Sequence, residues 1–262
     1  MELIAKDICV TLGNKEILHN VDFSAKTGQL TAIVGSNGSG KTTLLRALTA
    51  DLPYQGSVQI AGRNTRKIKP YELASIRAVL SQSTNLAFPF NVLEVVRLGL
   101  TTGGEAQRAD LPLQALARVG LTGFEAKYYQ ELSGGEQQRV QLARVLAQVW
   151  QPVVDGVARW LFLDEPVASL DIGHQLMVMG LAQQYARDGG GVIAVMHDLN
   201  LTAMFANRVA LINQGKMVAQ GTPTEVMTEN KLSNAYGCSL RINTAPPKSQ
   251  VFLLPHVASV GP

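Results

Sequence analysis

A glycine-rich turn between an apolar run and a leucine-rich run constrains the fold of this chain more than any other feature. Residues 35–43 read GSNGSGKTT, which puts Gly35, Gly40, Lys41 and Thr42 in the pattern G-x-x-x-x-G-K-[ST]. The preceding LTAIV predicts a buried strand, and the following TTLLRALTA predicts a helix with one apolar face. Glycines in such a loop let backbone N–H groups converge on phosphate oxygens at the positive end of the helix. The sequence therefore predicts an α/β unit that binds a nucleotide.

The residues of this loop have separate expected tasks. Lys41 is expected to reach the β- and γ-phosphates, and the Thr42 hydroxyl is expected to bind Mg²⁺. The predicted nucleotide-binding residues are the whole run: Gly35, Ser36, Asn37, Gly38, Ser39, Gly40, Lys41, Thr42 and Thr43.

A strand that ends in two acids predicts the second half of the site. WLFLDEP occupies residues 160–166 and ends its apolar run at Asp164 and Glu165. In a parallel sheet this carboxyl end lies beside the phosphate loop. Asp164 can hold Mg²⁺ through water there, and Glu165 can orient or deprotonate an attacking water. Two acids after a strand are usually no more than its polar end. The functional interpretation of Asp164 and Glu165 therefore depends on the predicted phosphate loop beside them.

Composition excludes several classes of protein. Of 262 residues, 46% are hydrophobic and 16% are charged, which is enough to bury a sizeable core. The formal net charge of +3 comes without a block of like charges, so no nucleic-acid partner is predicted. Cys9 and Cys238 lie far apart and indicate neither a disulfide framework nor a metal knuckle. No run approaches the roughly 20 apolar residues that cross a bilayer, and MELIAKDICV lacks the apolar core of a signal peptide.

Hydrophobic patterning divides the chain into regions of different character. Short alternating runs at 2–10, 17–25 and 56–61 predict an antiparallel region. From 85 to 148, apolar residues recur at helical spacing, which predicts an inserted helical subdomain. RWLFLD and GVIAVMH predict two further strands with a helix between them, and RVALINQGKMVAQG predicts a hairpin.

The segment LSGGEQQR at residues 132–139 indicates the family. Three other short motifs accompany it in order: Gln82 in LSQST, Asp171 in ASLDI and His197 in VMHDLN. With the phosphate loop and the acidic strand end, the chain resembles the nucleotide-binding subunit of an ATP-binding-cassette transporter. The resemblance covers residues 2–225 in the order of the family's motifs.

The resemblance implies a fold and a division of the chain. The expected fold class is α/β: a RecA-like P-loop NTPase core with an antiparallel β subdomain and an inserted α-helical subdomain. Residues 1–84 and 151–225 are expected to form the core, and residues 85–150 the helical subdomain with the signature motif. Residues 226–262 are expected to form a C-terminal tail.

The resemblance also implies a Mg²⁺-dependent ATPase that works as a homodimer. In that family two subunits pack head to tail, and each signature motif contacts the ATP held by the other subunit. A helix N-terminus with closely approachable backbone amides suits such a contact with an anion, although a serine-capped helix start would look the same locally. The residues of this motif are Ser133, Gly134, Gly135 and Glu136.

The remaining motif residues take their expected roles from the same resemblance. Glu165 is expected to act as the general base or to position the attacking water, and His197 to steady the γ-phosphate and that water. Gln82 is expected to contact Mg²⁺ or the water, and Asp171 to act across the dimer interface. The expected metal-binding residues are Thr42, Gln82 and Asp164.

Two positions depart from the family pattern. Leu12, in VTLGNKEIL, stands where an aromatic side chain usually stacks on adenine, so apolar packing is expected to hold the base more loosely. Val167, in PVASLD, replaces a common threonine, and little consequence is expected.

Three segments indicate which transporter the chain serves. Residues 80–100, the run from HDLN to TEVM and the tail containing NAYG resemble importers of ferric siderophores, haem and cobalamin. The spacer at 147–166, with its Pro and Trp, is most similar to that of haem importers. The expected function is therefore ATP hydrolysis that energises haem (hemin) import. Siderophore and cobalamin import remain alternatives, because a permease and a periplasmic binding protein would select the substrate.

The expected partners are a second copy of the chain, two transmembrane permease subunits and, indirectly, the periplasmic binding protein. Such a subunit would be peripheral on the cytoplasmic face of a bacterial inner membrane. An alternative of another class is a soluble ATPase of the same family acting on DNA or ribosomes, favoured by the sequence pI near 8.9. Such proteins usually carry a long coiled-coil insertion or a second cassette, and a nucleotide kinase would lack LSGGE. A module that only binds nucleotide would not need Glu165 and His197.

Overall fold

Two main sheets, a small hairpin and the helices packed on them make up the computed structural model. It describes residues 1–82, 88–100, 108–246, 250–252 and 254–255. Its strands are β1 (Glu2–Leu12), β2 (Lys15–Lys26), β3 (Leu30–Val34), β4 (Gln55–Ile60), β5 (Arg63–Asn64), β6 (Arg77–Leu80), β7 (Val153–Val154), β8 (Val157–Ala158), β9 (Trp160–Asp164), β10 (Gly191–Val195), β11 (Arg208–Asn213) and β12 (Lys216–Gly221).

The larger sheet determines which strand ends meet. Within the described residues it has the order β12-β11-β3-β10-β9-β6, and all neighbours pair parallel except β11 with β12. β10 therefore lies between β3, which leads into the phosphate loop, and β9, which ends in Asp164. The register pairs Val195 with both Ile33 and Asp164. The carboxyl ends of these three strands consequently lie side by side at one edge.

The smaller sheet is antiparallel and is half-buried. Its described strands have the order β2-β1-β4-β5. Burial alternates along β2, where Val21, Phe23 and Ala25 are buried and the residues between them are exposed. This period of two is typical of a sheet that packs on a core with one face and meets solvent with the other.

The helices cover the larger sheet and build the region between β6 and β9. They are α1 (Lys41–Leu48), α2 (Pro70–Ile76), α3 (Val92–Arg97), α4 (Leu111–Arg118), α5 (Gly134–Gln148), α6 (Ile172–Arg187), α7 (Leu199–Phe205), α8 (Pro223–Val226) and α9 (Glu229–Tyr236). α3 and α4 pack on α5. None of the helices in the described ranges has the length and apolarity needed to cross a bilayer.

Both faces of the larger sheet are buried, which explains why its strands are apolar without alternation. Leu30, Ala32 and Val34 of β3 join one core with residues of α4, α5 and α6. Ile33, which points to the other face, joins a second core with Leu44 of α1 and the inner face of the smaller sheet. β3 and the start of α1 are thus held between two cores, and the loop that joins them has fixed ends.

The short strands β5 and β6 and the β7–β8 hairpin lie outside the predicted strands. β6 follows α2 directly in the sequence ASIRAVL, so its four residues continue the apolar spacing of a helix. The β7–β8 hairpin lies in the 147–166 spacer and turns at Asp155 and Gly156, which have φ of 50° and 75°. An Asp-Gly pair between valines is a hairpin signal, and it identifies this turn in retrospect.

The predicted division into domains remains a prediction. The boundary between residues 84 and 85, the segment 101–107 of the helical region and residues 247–249, 253 and 256–262 of the tail lie outside the described residues.

Candidate functional site

The phosphate loop between β3 and α1 contains glycines whose Cβ positions are filled by other parts of the chain. Gly35 has φ 154° and Gly40 has φ 104°, values that residues with side chains rarely adopt. A Cβ on Gly40 would lie 2.8 Å from Cδ2 of Leu18, and one on Gly35 would overlap the carbonyl of Ile212. The fold of the chain itself therefore requires glycine at both ends of the loop.

Lys41 is the cation of this loop. Its Nζ donates hydrogen bonds to the carbonyl oxygens of Gly35 and Ser36, both at 3.0 Å. Burial lowers the pKa of Lys41 below its ordinary value, and the nearby carboxylates of Glu165 and Asp164 oppose this effect. An ammonium group held only by neutral carbonyls can exchange these bonds for stronger, charge-assisted bonds to phosphate oxygens.

The turn between β11 and β12 supports the loop from the side. The N–H of Gly215 donates to the carbonyl of Ser39 at 2.9 Å, and the N–H of His19 in β2 donates to the carbonyl of Gly215 at 2.9 Å. A Cβ on Gly215 would overlap the carbonyl of Ile17. The predicted hairpin thus links the smaller sheet to the phosphate loop.

The end of β9 contacts the start of α1. The Thr42 hydroxyl donates to Oδ1 of Asp164 at 3.0 Å, and Asp164 is only 4% exposed. Burial raises the pKa of Asp164 above its usual value, although the hydrogen bond from Thr42 opposes the shift.

A hydroxyl and a carboxylate are hard oxygen donors of the kind that Mg²⁺ takes together with substrate phosphates and water. In the ranges that the structure describes, no group of three or more His, Cys, Asp or Glu residues is placed to hold a metal alone. Thr42 and Asp164 therefore fit an ion that arrives with a nucleotide.

Glu165 is held by side chains from two distant segments. His197 Nε2 lies 2.5 Å from Glu165 Oε1, and Gln82 Nε2 donates to Glu165 Oε2 at 3.0 Å. His197 follows β10, the strand next to β9, so the sheet order brings the two residues together across 32 positions of sequence. The structure thus places the three predicted catalytic residues in contact, while their roles remain predictions.

These residues line an open cleft of about 700 Å³, a size that accommodates a nucleotide. Its lining includes residues of the phosphate loop together with Gln82, Glu165 and His197. Leu12, Lys15 and Ile17, around the β1–β2 turn, line the same cleft. Leu12 is 44% exposed, so an aliphatic side chain is open to a ligand there.

The signature residues lie at the start of α5, outside this cleft. Ser133 caps the helix: its N–H and its hydroxyl donate to Glu136 Oε2 at 2.8 and 2.7 Å, and the N–H of Glu136 donates to Ser133 Oγ at 3.4 Å. These bonds hold the pKa of Glu136 below its usual range. A Cβ on Gly134 would meet nothing within 4 Å, whereas one on Gly135 would lie 3.0 Å from the carbonyl of Ser169.

A second cleft, of about 470 Å³, runs between the signature residues and the segment Ser169–His174. Asp171 caps α6 there, accepting a bond from the His174 N–H at 2.9 Å and contacting His174 Nδ1 at 2.8 Å. The backbone bond from His174 is the main cause that lowers the pKa of Asp171. One chain therefore carries two separate clefts, one with the phosphate loop and one with the signature.

Gln138 is a contact residue to which the sequence assigned no role, although it lies in the segment LSGGEQQR. Its side-chain Nε2 donates to the backbone carbonyl of Glu165 at 2.8 Å. The available signal was helical spacing, because Gly134 and Gln138 are four residues apart on one face of α5. Lys15 and Ile17 also line the cleft without a predicted role, although they lie in the VTLGNKEIL stretch that was expected near the base.

Comparison with known proteins gives the family. A model described as ABC transporter matches residues 18–168, more than half of the chain, including the phosphate loop and the end of β9. The chain belongs to the ABC transporter family. As an ABC ATPase chain it binds ATP, and the resemblance stated from the motifs is confirmed.

Relatives and solved structures agree with this assignment. The protein named Hemin import ATP-binding protein HmuV in Jannaschia sp. (strain CCS1) is 63% identical, over 98% of this chain and 95% of its own. The HmuV of Roseobacter denitrificans is 60% identical, over 99% of both chains.

Among solved structures, the ATP-binding subunit of an ABC transporter superposes with a TM-score of 0.75 at 20% identity, covering 90% of this chain and 96% of that one. The dimeric structure of MJ0796, a bacterial ABC transporter cassette, gives 0.72 at 28% identity and covers 84% and 98%. The predicted fold class is confirmed by these superpositions.

Proposed function

We propose that this ABC protein is the ATP-hydrolysing subunit of an importer that takes up hemin. The hydrolytic assignment rests on Glu165, which lines the nucleotide cleft while Gln82 and His197 hold its two carboxylate oxygens. The hemin assignment rests on relatives named for hemin import, which are 51–63% identical over nearly the whole chain.

The phosphate loop and Lys41 bind the triphosphate of ATP. Gly35 and Gly40 give the loop the backbone conformation in which its N–H groups would bind the phosphate oxygens. Lys41 exchanges its two carbonyl partners for oxygens of the β- and γ-phosphates. Leu12 and Ile17 contact the base through their aliphatic surfaces.

Glu165 acts on the water that attacks the γ-phosphorus. As the water oxygen bonds to phosphorus, its proton passes to the Glu165 carboxylate, and the bond to the β-phosphate oxygen breaks to release ADP. His197 and Gln82 fix the orientation of that carboxylate. The exposed imidazole edge of His197 lies towards the cleft, where it steadies the γ-phosphate.

Thr42 and Asp164 would hold Mg²⁺, and the amide oxygen of Gln82 would contact the ion or its water. When bound, the ion neutralises charge on the β- and γ-phosphate oxygens. Asp164 is suited to this role because its buried carboxylate has few competing partners in the chain.

The site is complete only in a homodimer. Ser133, Gly134 and Gly135 start α5 at the second cleft, where the helix N-terminus favours an anion. Head-to-tail pairing lets this segment contact the γ-phosphate of ATP bound to the other copy, with Glu136 at its rim. Asp171, in the same cleft, contacts the other copy beside it.

The helical region, residues 85–150, would dock on the permease. Its described part exposes large apolar side chains: Phe88, Leu98, Leu113 and Tyr128 are 42–68% exposed. These side chains are available for contact with a partner. The remaining division is that proposed from the sequence, with a core at 1–84 and 151–225 and a tail at 226–262. In the proposed assembly, two copies of this chain bind two permease subunits, and a periplasmic binding protein delivers the substrate. This protein would then lie on the cytoplasmic face of the inner membrane.

The test is purification of the tagged chain from its native membranes in mild detergent, followed by ATPase assays of the recovered complex. A multi-spanning permease is expected to co-purify. Hemin-loaded binding protein is expected to raise the ATPase rate, and the same assay with Glu165→Gln is expected to show the complex without the stimulated rate.

Stimulation by a ferric siderophore or by cobalamin, with none by hemin, would retain the importer and overturn the substrate. Recovery of ribosomes or nucleic acid in place of a permease would overturn import itself.

A further inference from the structure

The backbone of Glu165 has a conformation that needs external support. Its φ is 52°, in the left-handed region that a residue with a side chain adopts only at an energetic cost. The direction of its Cα–Cβ bond follows from this conformation, and so does the position of the carboxylate between Gln82 and His197. Whatever fixes the Glu165 peptide groups therefore fixes the carboxylate.

Three hydrogen bonds hold the backbone of Glu165. Its N–H donates to the carbonyl of Val195 at 3.2 Å, and its carbonyl accepts from the N–H of Ala168 at 3.3 Å. The third is the shortest: Gln138 Nε2 donates to the same carbonyl at 2.8 Å. Among the described bonds to the backbone of Glu165, this one alone comes from outside β9, β10 and the turn that follows β9.

The contact joins the two clefts of the chain. Gln138 lies in the second turn of α5, which begins at the Ser133 cap. Gly135, in the first turn, packs against the carbonyl of Ser169 and the side chain of Leu170. The start of α5 therefore lies along the segment that runs from Glu165 to Asp171.

We propose that Gln138 is a positioning residue for ATP hydrolysis: its amide holds the carbonyl of Glu165 and so aims the Glu165 carboxylate at the attacking water. The inference rests on the proposed role of Glu165 as general base. Gln138 does not line the nucleotide cleft, so it acts on the rate of the chemical step and leaves ATP binding unchanged.

The test compares Gln138→Leu with the full-length wild type in steady-state ATPase assays. Loss of one orienting hydrogen bond is expected to lower kcat about tenfold and to leave KM for ATP unchanged. The matched control is Gln148→Leu, which removes side-chain bonds from the same helix to the carbonyls of Ala74 and Arg77, away from Glu165. This control is expected to retain the wild-type kcat.

A second variant, Gln138→Glu, guards against a folding defect in the leucine variant. It keeps the shape of the side chain, and its ionised carboxylate cannot donate a hydrogen bond, so the same loss of kcat is expected at pH 8. Thermal unfolding of each variant identifies any loss of folded protein.

A double-mutant cycle separates positioning from general damage. In the Glu165→Gln background the residual rate is expected to be insensitive to Gln138→Leu, because the group being aimed is already gone. An unchanged kcat in both Gln138 variants would overturn the inference, and so would an equal loss in Gln148→Leu or a loss that persists in the Glu165→Gln background. Normal hydrolysis by Glu165→Gln alone would instead remove the proposed base.

Discussion

The chain contains two glycine-rich segments that face phosphate in the proposed dimer, and they are built in opposite ways. At the phosphate loop, Gly40 has φ 104° and a Cβ there would lie 2.8 Å from Leu18. At the signature, a Cβ on Gly134 would meet nothing within 4 Å. The fold of one chain requires the first glycine, but nothing described in the same chain accounts for the second.

The carboxylates beside these two segments also differ, in the direction in which their pKa values are shifted. Burial raises the pKa of Asp164 at the phosphate loop. Hydrogen bonds from Ser133 and from His174 lower the pKa of Glu136 and of Asp171 at the signature. Asp164 is thus a buried carboxylate whose charge a bound cation would stabilise, whereas the signature carboxylates are exposed and held by their own caps. In the proposed dimer, the open space over Gly134 faces the ATP of the other copy.

The largest expected effect is a loss of ATP affinity when the phosphate loop loses the charge of Lys41, since the signature segment has no lysine. Lys41→Ala is expected to weaken ATP binding on the order of 100-fold, because it removes the charge-assisted bonds to phosphate. Isothermal titration with ATP measures the change. Lys6→Ala, at an exposed lysine paired with Asp22, is the matched control and is expected to bind as the wild type does. Tight binding by Lys41→Ala would contradict the assignment of the loop.

Substitution of the two glycines tests the contrast directly. Gly134→Ala is expected to fold normally and to gain about 0.5 kcal/mol of stability, since alanine favours the first turn of a helix. The same methyl group is expected to lower dimer-dependent ATPase about tenfold by displacing the partner's phosphate. Thermal unfolding and the ATPase rate measure the two effects.

The comparison variant is Gly40→Ala, which is expected to lose both stability and ATP binding through strain and the contact with Leu18. Full activity in Gly134→Ala would show that no partner approaches this glycine.

Much of this architecture is predictable from the sequence because its signals are local. LTAIV followed by the glycine loop predicts β3 and α1, and the two apolar runs predict β9 and β10. β6 and the β7–β8 hairpin are harder to predict, since four residues that continue a helical pattern become a strand only through pairing with β9. The position of β10 between β3 and β9 is a property of the sheet that no local pattern specifies.

At the site, too, some residues are predictable from local sequence signals and others depend on tertiary packing. Motifs identify Lys41, Glu165 and His197 because each stands in a recognisable run. Gln138 also lies in such a run, LSGGEQQR, but the run does not reveal its role, since its contact with the Glu165 carbonyl depends on how α5 packs beside the end of β9. The Ser133–Glu136 cap is visible in the spacing of the two residues, but the open space over Gly134 is visible only in three dimensions.

A smaller effect on ATP affinity is expected at Leu12, near the β1–β2 turn of the nucleotide cleft. Leu12→Tyr is expected to tighten ATP binding about fivefold, because an aromatic ring can stack on the base where an aliphatic side chain only packs against it. Competition between ATP and inorganic triphosphate measures the part contributed by the base. Leu12→Ile is the control and is expected to leave the affinity near that of the wild type. Equal affinity in the tyrosine variant would mean that the base does not lie against residue 12.

The smallest expected effect is on the melting temperature, and it tests the difference between the buried carboxylate of Asp164 and the exposed one of Glu136. Without Mg²⁺, the ionised Asp164 lies buried near the Thr42 hydroxyl, so Asp164→Asn removes a desolvated charge and retains an acceptor for that hydroxyl. The melting temperature is expected to rise by about 2 °C at pH 8, while Mg²⁺-dependent hydrolysis is lost. Glu136→Gln is the control at the signature, where no rise is expected because the charge is exposed and already stabilised.

The pH dependence of this difference has a definite sign. Because the folded-state pKa of Asp164 is raised, the unfavourable burial of its charge is present above that pKa and disappears as the pH falls towards 3.8, the ordinary pKa of an aspartate. The advantage of Asp164→Asn is therefore expected to be full at pH 8 and to shrink as the pH falls through the Asp164 pKa. At Glu136 the pKa is lowered, so its contribution to stability is present at neutral pH and is lost on acidification. Melting curves of both variants across this range measure the two trends, and an advantage of Asp164→Asn that grew on acidification would contradict the raised pKa.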